Sequence, residues 1–200
     1  MSRRRVSIFV DGAYHHKRGG WGVVIVANKQ EWHASGNCAA WSSDEVEFTA
    51  ALNGLIVAER LTLLCRGIQV HLFTDSLRLI HACRDRKVRV YSGTDLERLS
   101  RREHVLSDVC LAAREEILRF GHNVNLRLQW IKRSSRVEQL RADKLSKFAI
   151  GATPHPVAEE GGLSGKQFQA ASGEPNCIVE CFADGRKAKQ LVFVGNQIRK

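Results

Sequence analysis

Two hundred residues, 44 % of them apolar, are enough for one domain with its own core and a modest appendage. No apolar run approaches the roughly 20 residues that a membrane helix needs, and Met1-Ser2-Arg3-Arg4-Arg5 leads into a strand-like segment ending in an acid instead of a secretory core, so no membrane partner and a cytoplasmic address are the expectation. The 31 Lys and Arg against 21 Asp and Glu leave a formal charge of +10, a surplus that favours a polyanionic partner without naming it.

In chain order, "RVSIFVDG" and "GWGVVIVANK" read as two strands joined by a loop rich in Gly, His, Lys and Arg, and "EWHASGN" as a third, giving an antiparallel meander. The first strand is expected to end at Asp11-Gly12. From Ser42 the period changes: Phe48, Ala51, Leu52, Leu55 and Ala58 recur at helical spacing, with serines and acids suited to a first turn and Gly67 expected to end the helix. "IQVHLFTDS" alternates up to Asp75, and a shorter helix begins at Ser76-Leu77. A basic connection spans residues 84–103, after which Leu106, Val109, Cys110, Ala113, Ile117 and Phe120 trace one helical face. "NVNLRLQWIK" returns as a strand and "RVEQLRADKLSKFAI" as a last helix, so the order βββαβααβα describes an α/β domain over residues 1–150.

Residues 151–200 differ in composition. A segment rich in Gly, Ala, Ser and Pro reads as a linker, and "CIVECFADGRKAKQLVFVG" as a hairpin turning at Asp184-Gly185. This extension is nearly charge-balanced, so the positive surplus belongs to the first 150 residues, and it is expected to dock on the domain or on a second copy and serve stability or assembly. No feature sets an oligomeric state. The cysteines at 38, 65, 83, 110, 177 and 181 are scattered through apolar runs, which suits reduced thiols; the Cys177 and Cys181 pair lacks a companion pair for zinc and reads as strand alternation.

Four acids stand out. Each has a local explanation: Asp11-Gly12 a hairpin turn, Glu47 a favourable first-turn charge, Asp75 a helix N-cap, Asp143 a partner for Lys147 one turn on. Taken together they suggest more. Asp11 and Asp75 both follow hydrophobic strands, which as sheet neighbours would bring the two carboxylates out side by side, with Glu47 at the start of a helix laid on the sheet by Ala50, Ala51 and Gly54. Acids converging in a basic protein need a positive offset, and oxygen-only ligands suit Mg²⁺ or Mn²⁺.

"FVDGA", "EFTAAL" from Glu47, "FTDS" and "RADKLSK" around Asp143 resemble, in order, the four catalytic motifs of type 1 ribonuclease H, over about residues 6–150. The resemblance implies a ribonuclease H-like five-stranded mixed sheet of order 3-2-1-4-5 flanked by helices, here with a C-terminal extension. It also implies that Asp11, Glu47, Asp75 and Asp143 are the catalytic metal ligands, that the cofactor is Mg²⁺ or Mn²⁺, as two ions about 4 Å apart, and that the partner is an RNA–DNA hybrid whose RNA strand is hydrolysed to 5′-phosphate ends. The family's loop histidine after the last strand is missing: "WIKRSSRVEQLRAD" has Ser134 and Ser135 instead, leaving His15 and His16 either to substitute or to be solvated loop residues. The basic connection occupies the place of the family's substrate handle, where Arg86, Lys87, Arg89, Arg98, Arg101 and Arg102 would grip DNA phosphates or be simply solvated. Of Trp21, Trp32, Trp41 and Trp130, strand alternation sends most to the core. A nuclease of other specificity on the same fold, and a silent nucleic-acid-binding module, are the competing functions.

Overall fold

The computed structural model describes residues 5–84, 106–133 and 135–153, and the backbone of three further strands. The basic connection from residue 85 to 105, the linker from 154 to 176, Ser134 and the Asp184-Gly185 turn lie outside the described residues.

Strands β1 (Arg5–His15), β2 (Arg18–Ala27) and β3 (Gln30–Ala39) form the antiparallel meander. Contrary to expectation, β1 does not stop at Asp11-Gly12. Its ladder with β2 runs unbroken through Asp11↔Gly22 to His15↔Arg18, so the turn falls at His16 and Lys17. Those two residues take φ of 45° and 64°, and Asn28 and Lys29 at the β2–β3 turn take 51° and 62°, the left-handed pair that matches the twist of a two-residue hairpin.

Helix α1 (Ser43–Arg60) begins at Ser42, whose Oγ accepts the Glu45 N–H at 3.3 Å. It ends well before Gly67. Leu63 N–H reaches Ala58 O at 3.0 Å and Thr62 N–H reaches Glu59 O at 2.8 Å, a Schellman closure with Thr62 in the left-handed position at φ 56°. The sequence hid this stop because a β-branched residue fills a place that favours glycine. Strand β4 (Gln69–Thr74) then lies parallel to β1, helices α2 (Leu77–Arg84) and α3 (Asp108–Asn123) follow, and β5 (Asn125–Trp130) lies parallel to β4. On α3, Cys110, Ala113 and Ile117 are buried, but Val109, in the first turn and at the edge of that stripe, is 48 % exposed. Helix α4 (Val137–Ala149) closes the domain.

The first five strands take the order 3-2-1-4-5 that the resemblance implies, flanked by the four helices. The sheet is larger than five strands, however. Strands β6 (Cys177–Ala183), β7 (Arg186–Val194) and β8 (Gln197–Arg199) continue it antiparallel beyond β3, giving β5-β4-β1-β2-β3-β6-β7-β8. Residues 30–35 of β3 pair with 178–183 of β6, so β3 is not an edge, and Cys177 and Cys181 both lie in β6.

Strand alternation sorts side chains onto two unequal layers. Val6, Ile8 and Val10 of β1, with Val23, Ile25, Val70 and Leu72, meet Phe48, Ala51, Leu55 and Ala58 of α1 and Cys110 and Ile117 of α3 in the main core. On the other side, Phe9, Val24 and Phe73 meet Ile131 and Ala142 and Leu145 of α4 in a smaller cluster, with the partly buried Val26 packed against it. Close approach makes this thin layer possible: a Cβ on Gly22 would sit 2.1 Å from Ala142 O, and one on Gly20 would sit 2.2 Å from Ser146 O. The two glycines of β2 let the α4 backbone rest directly on the sheet.

Candidate active site

The parallel register Phe9↔Phe73 brings these two rings into a stack at 4.6 Å between centroids. Two residues further along the same side of each strand come Asp11 and Asp75, level with each other. Here β4 ends and α2 begins. Ser76 caps α2, its Oγ accepting the Leu79 N–H at 3.3 Å, so Asp75 is not the cap and its carboxylate is left for other use. The Trp130 indole N–H donates to Asp75 O at 3.0 Å and fixes the strand end. Because the β1–β4 ladder stops at Phe9↔Phe73, the next β1 carbonyl, Val10 O, is taken by Nε2 of the fully buried Gln139 at 3.0 Å, which pins α4 to β1.

Glu47 enters from the main-core side. A Cβ on Gly12 would lie 2.9 Å from Glu47 N, so only glycine there lets the start of α1 approach β1 this closely. Asp11, Glu47 and Asp75 each offer a carboxylate oxygen within 4.8 Å of the others. The sheet thus gathers three of the four acids singled out in the sequence. Asp143 lies near enough for its charge to raise Asp11, but its Oδ2 accepts from Lys147 Nζ at 2.7 Å, and it is not within the three-acid group.

The electrostatics are uneven. Asp11 is 1 % exposed and Glu47 8 %, and Asp11 Oδ1 and Glu47 Oε2 are buried with no hydrogen-bond partner among the described residues. Burial pushes the Asp11 carboxyl up to about 7; the Ser146 hydroxyl, 2.9 Å from Oδ2, opposes this, while the charges of Asp75 and Asp143 add to it. Burial, then the charges of Asp11 and Asp75, hold Glu47 well above the ordinary carboxylate range. The positive offset comes from Arg133, whose Nε donates to Asp75 Oδ2 at 2.8 Å with Nη2 3.8 Å from Asp11 Oδ1. Burial lowers its pKa, but Asp75 and Asp11 outweigh that and hold it above the ordinary value.

Arg133, Gln139 and Ser146 escaped the sequence reading. Their only signal was position: Arg133 follows the last strand of the domain, and the other two flank Asp143 by one helical turn on either side. His15 and His16 sit at the far end of β1, His15 four residues or about 13 Å along the strand from Asp11, their rings 4.0 Å apart and exposed. Trp21 and Trp32 are core residues, while Trp130 is 44 % exposed and Trp41 72 % exposed with Lys17 Nζ 4.6 Å from its ring centroid.

Two orphaned buried carboxylate oxygens in a cluster of three all-oxygen ligands fit a hard divalent cation. A family model described as RNase H matches residues 3–150. Among solved structures, RNase H1 from the halophilic archaeon Halobacterium salinarum NRC-1 is 16 % identical, covers 74 % of this chain and 99 % of its own, and superposes with a TM-score of 0.50. LC11-RNase H1, solved in complex with an RNA/DNA hybrid, is 17 % identical over 73 % of this chain and 96 % of its own, with a TM-score of 0.51. At these identities the two structures speak for the fold. No curated protein matches the chain.

Proposed function

We propose that this chain, which belongs to the RNase H family, hydrolyses the RNA strand of RNA–DNA hybrids as an endonuclease through Asp11, Glu47, Asp75 and Asp143. The observation that carries the assignment of these residues is the convergence of three carboxylates within 4.8 Å, two of them with buried oxygens that have no hydrogen-bond partner among the described residues. We assign Mg²⁺ or Mn²⁺, as two ions, to this cluster: Asp11, Glu47, Asp75 and Asp143 would hold them, and they would supply an activated water for in-line attack on the phosphodiester and charge to stabilise the departing sugar oxygen.

The chain's own residues do the positioning. Ser146 holds Asp11 Oδ2 and so fixes the carboxylate's orientation; Trp130 and Ser76 fix the backbone on either side of the Asp75 carboxylate; Gly12 lets Glu47 close from the other layer. Asp143 joins by release of its carboxylate from Lys147, a surface ion pair that is weak enough to exchange. The exposed Trp41 with Lys17 above it offers a nucleic-acid contact along β1 from the cluster. We assign the enzyme to the cytoplasm, in keeping with the free thiols of Cys38, Cys65, Cys83 and Cys110.

Incubation with matched RNA–DNA, RNA–RNA and DNA–DNA duplexes in Mg²⁺, Mn²⁺ or EDTA tests the assignment. Cleavage is expected only in the RNA of the hybrid and only with metal, and Asp11→Asn and Asp75→Asn should abolish it while leaving hybrid affinity intact or improved, since each also removes a negative charge facing phosphate. Near-normal turnover by both variants would remove these acids from the chemistry.

A further inference from the structure

Arg133 is placed where a bound cation's charge is needed. Its guanidinium spans the two acids at the strand ends, Nε 2.8 Å from Asp75 Oδ2 and Nη2 3.8 Å from Asp11 Oδ1. Its own surroundings are loose by comparison: the side chain is 58 % exposed, whereas Asp11 is 1 % and Asp75 12 % exposed. It projects from the short segment between β5 and α4, where Ser135 N–H bonds back to Lys132 O at 3.0 Å. A buried anionic cluster is therefore closed by a cation that comes from the surface on a long, flexible stem.

We propose that Arg133 is a positioning residue that serves as an internal counter-cation: it holds Asp11 and Asp75 together in the metal-free protein and gives up its place when a divalent ion enters. This rests on the metal-site reading above. The physical reason is a balance of charge. Three clustered carboxylates repel one another, and two of them are too buried for water to screen the repulsion. A monovalent guanidinium at the rim relieves part of that cost, and a divalent cation bound directly by the same oxygens relieves more. The two cannot share the cluster without repulsion, because the Asp75 carboxylate that Arg133 engages belongs to the three-acid group. Metal therefore binds against the work of displacing Arg133, and the arginine sets how much metal the enzyme needs. Once displaced, the guanidinium stays at the rim, where its planar fork suits a phosphate oxygen pair.

Calorimetric titration of the full-length chain with Mn²⁺, without nucleic acid, tests this. Arg133→Ala and Arg133→Gln should bind Mn²⁺ up to about fivefold more tightly than the unaltered chain, the range an exchangeable ion pair spans. Both variants should melt below the unaltered protein in EDTA, and that deficit should vanish at saturating Mn²⁺; a residue with a merely structural role would lower the melting temperature in both conditions. Arg133→Lys, which keeps the charge and loses the fork, should lie between. Equal or weaker Mn²⁺ affinity in the neutral variants, or a deficit that persists in saturating metal, overturns the inference while leaving the metal site intact. Absence of Mn²⁺ binding by every form, the unaltered chain included, overturns both this inference and the metal reading beneath it.

Discussion

The two sides of the sheet were built for different loads. The side under α1 and α3 is a thick apolar layer, with Phe48, Leu55, Leu72 and Ile117 all fully buried. The side under α4 is thin, a handful of apolar residues around the Phe9–Phe73 stack, and it is held as much by polar contacts as by burial: Gln139 to Val10 O, Ser146 to Asp11, Arg136 over the Phe73 ring at 5.1 Å. Of the proposed catalytic carboxylates, Asp11, Asp75 and Asp143 stand at the rim of the thin side, and Glu47 reaches Asp11 and Asp75 from the start of α1. Stability is thus concentrated away from most of the acids, and the destabilising cluster sits at the rim, where it disturbs the main core least.

The sharpest way to break this division is at the glycines that seat α4. Gly22→Ala puts a methyl group 2.1 Å from Ala142 O, backbone against backbone, with no side chain free to move aside. It should cost at least about 3 kcal/mol in chemical denaturation, and because α4 carries Ser146 and Asp143 it should lower turnover by roughly two orders of magnitude in whatever fraction stays folded.

A paired truncation separates the two layers. Leu55→Ala in the main core and Leu145→Ala on α4 remove the same atoms from sites 0 % and 1 % exposed, and each should cost about 2–5 kcal/mol. Assayed well below their melting temperatures, Leu55→Ala should keep its kcat, while Leu145→Ala should lose a substantial part of it through a shift of Ser146 against Asp11. Equal effects on kcat would mean that the two sides are not divided in this way.

The rim acids give the thin side a pH signature. The Asp11 carboxyl titrates at about 7 in the folded, metal-free protein, against about 3.9 when unfolded. The folded state holds the proton more tightly over that interval, so the stability this group contributes is complete below about pH 4 and is lost as the pH rises through about 7. In EDTA the melting temperature should fall between about pH 4 and 7, and Asp11→Asn, which cannot ionise, should flatten that slope and raise stability at the upper end. A slope unchanged in Asp11→Asn would assign the effect to another group.

The smallest expected effect lies at the far end of the thick side. Thr62 closes α1 at φ 56°, a conformation that glycine adopts without strain. Thr62→Gly should stabilise by up to about 1 kcal/mol, offset in part by loss of the Thr62 Oγ1 bond to Leu61 O, and should leave activity untouched. A loss of activity there would show that the two sides communicate through α1.

Much of the molecule was legible in the residues alone, because it follows from local periodicity. The order of nine elements, the apolar faces of α1 and α3, and the placement of Asp11 and Asp75 beside hydrophobic strands all come from spacing that the chain carries along its length. Glu47 and Asp143 were found by motif, and both lie on the helices that the pattern assigned. What the residues could not decide depended on partners distant in sequence. The length of β1 past Asp11-Gly12 was set by its ladder with β2, since pairing carries a strand through a dipeptide that favours turns in isolation. The end of α1 was set by a Schellman closure on a threonine. The width of the sheet was set by β3, whose unpaired edge takes up β6 from some 140 residues later in the chain. The same holds for the electrostatics of the site: that Asp11 and Glu47 are raised, that Asp143 rests on Lys147, and that Arg133 supplies the offsetting charge are consequences of burial and distance. Composition counts charges, but only the folded chain fixes which of them face each other and how much water lies between.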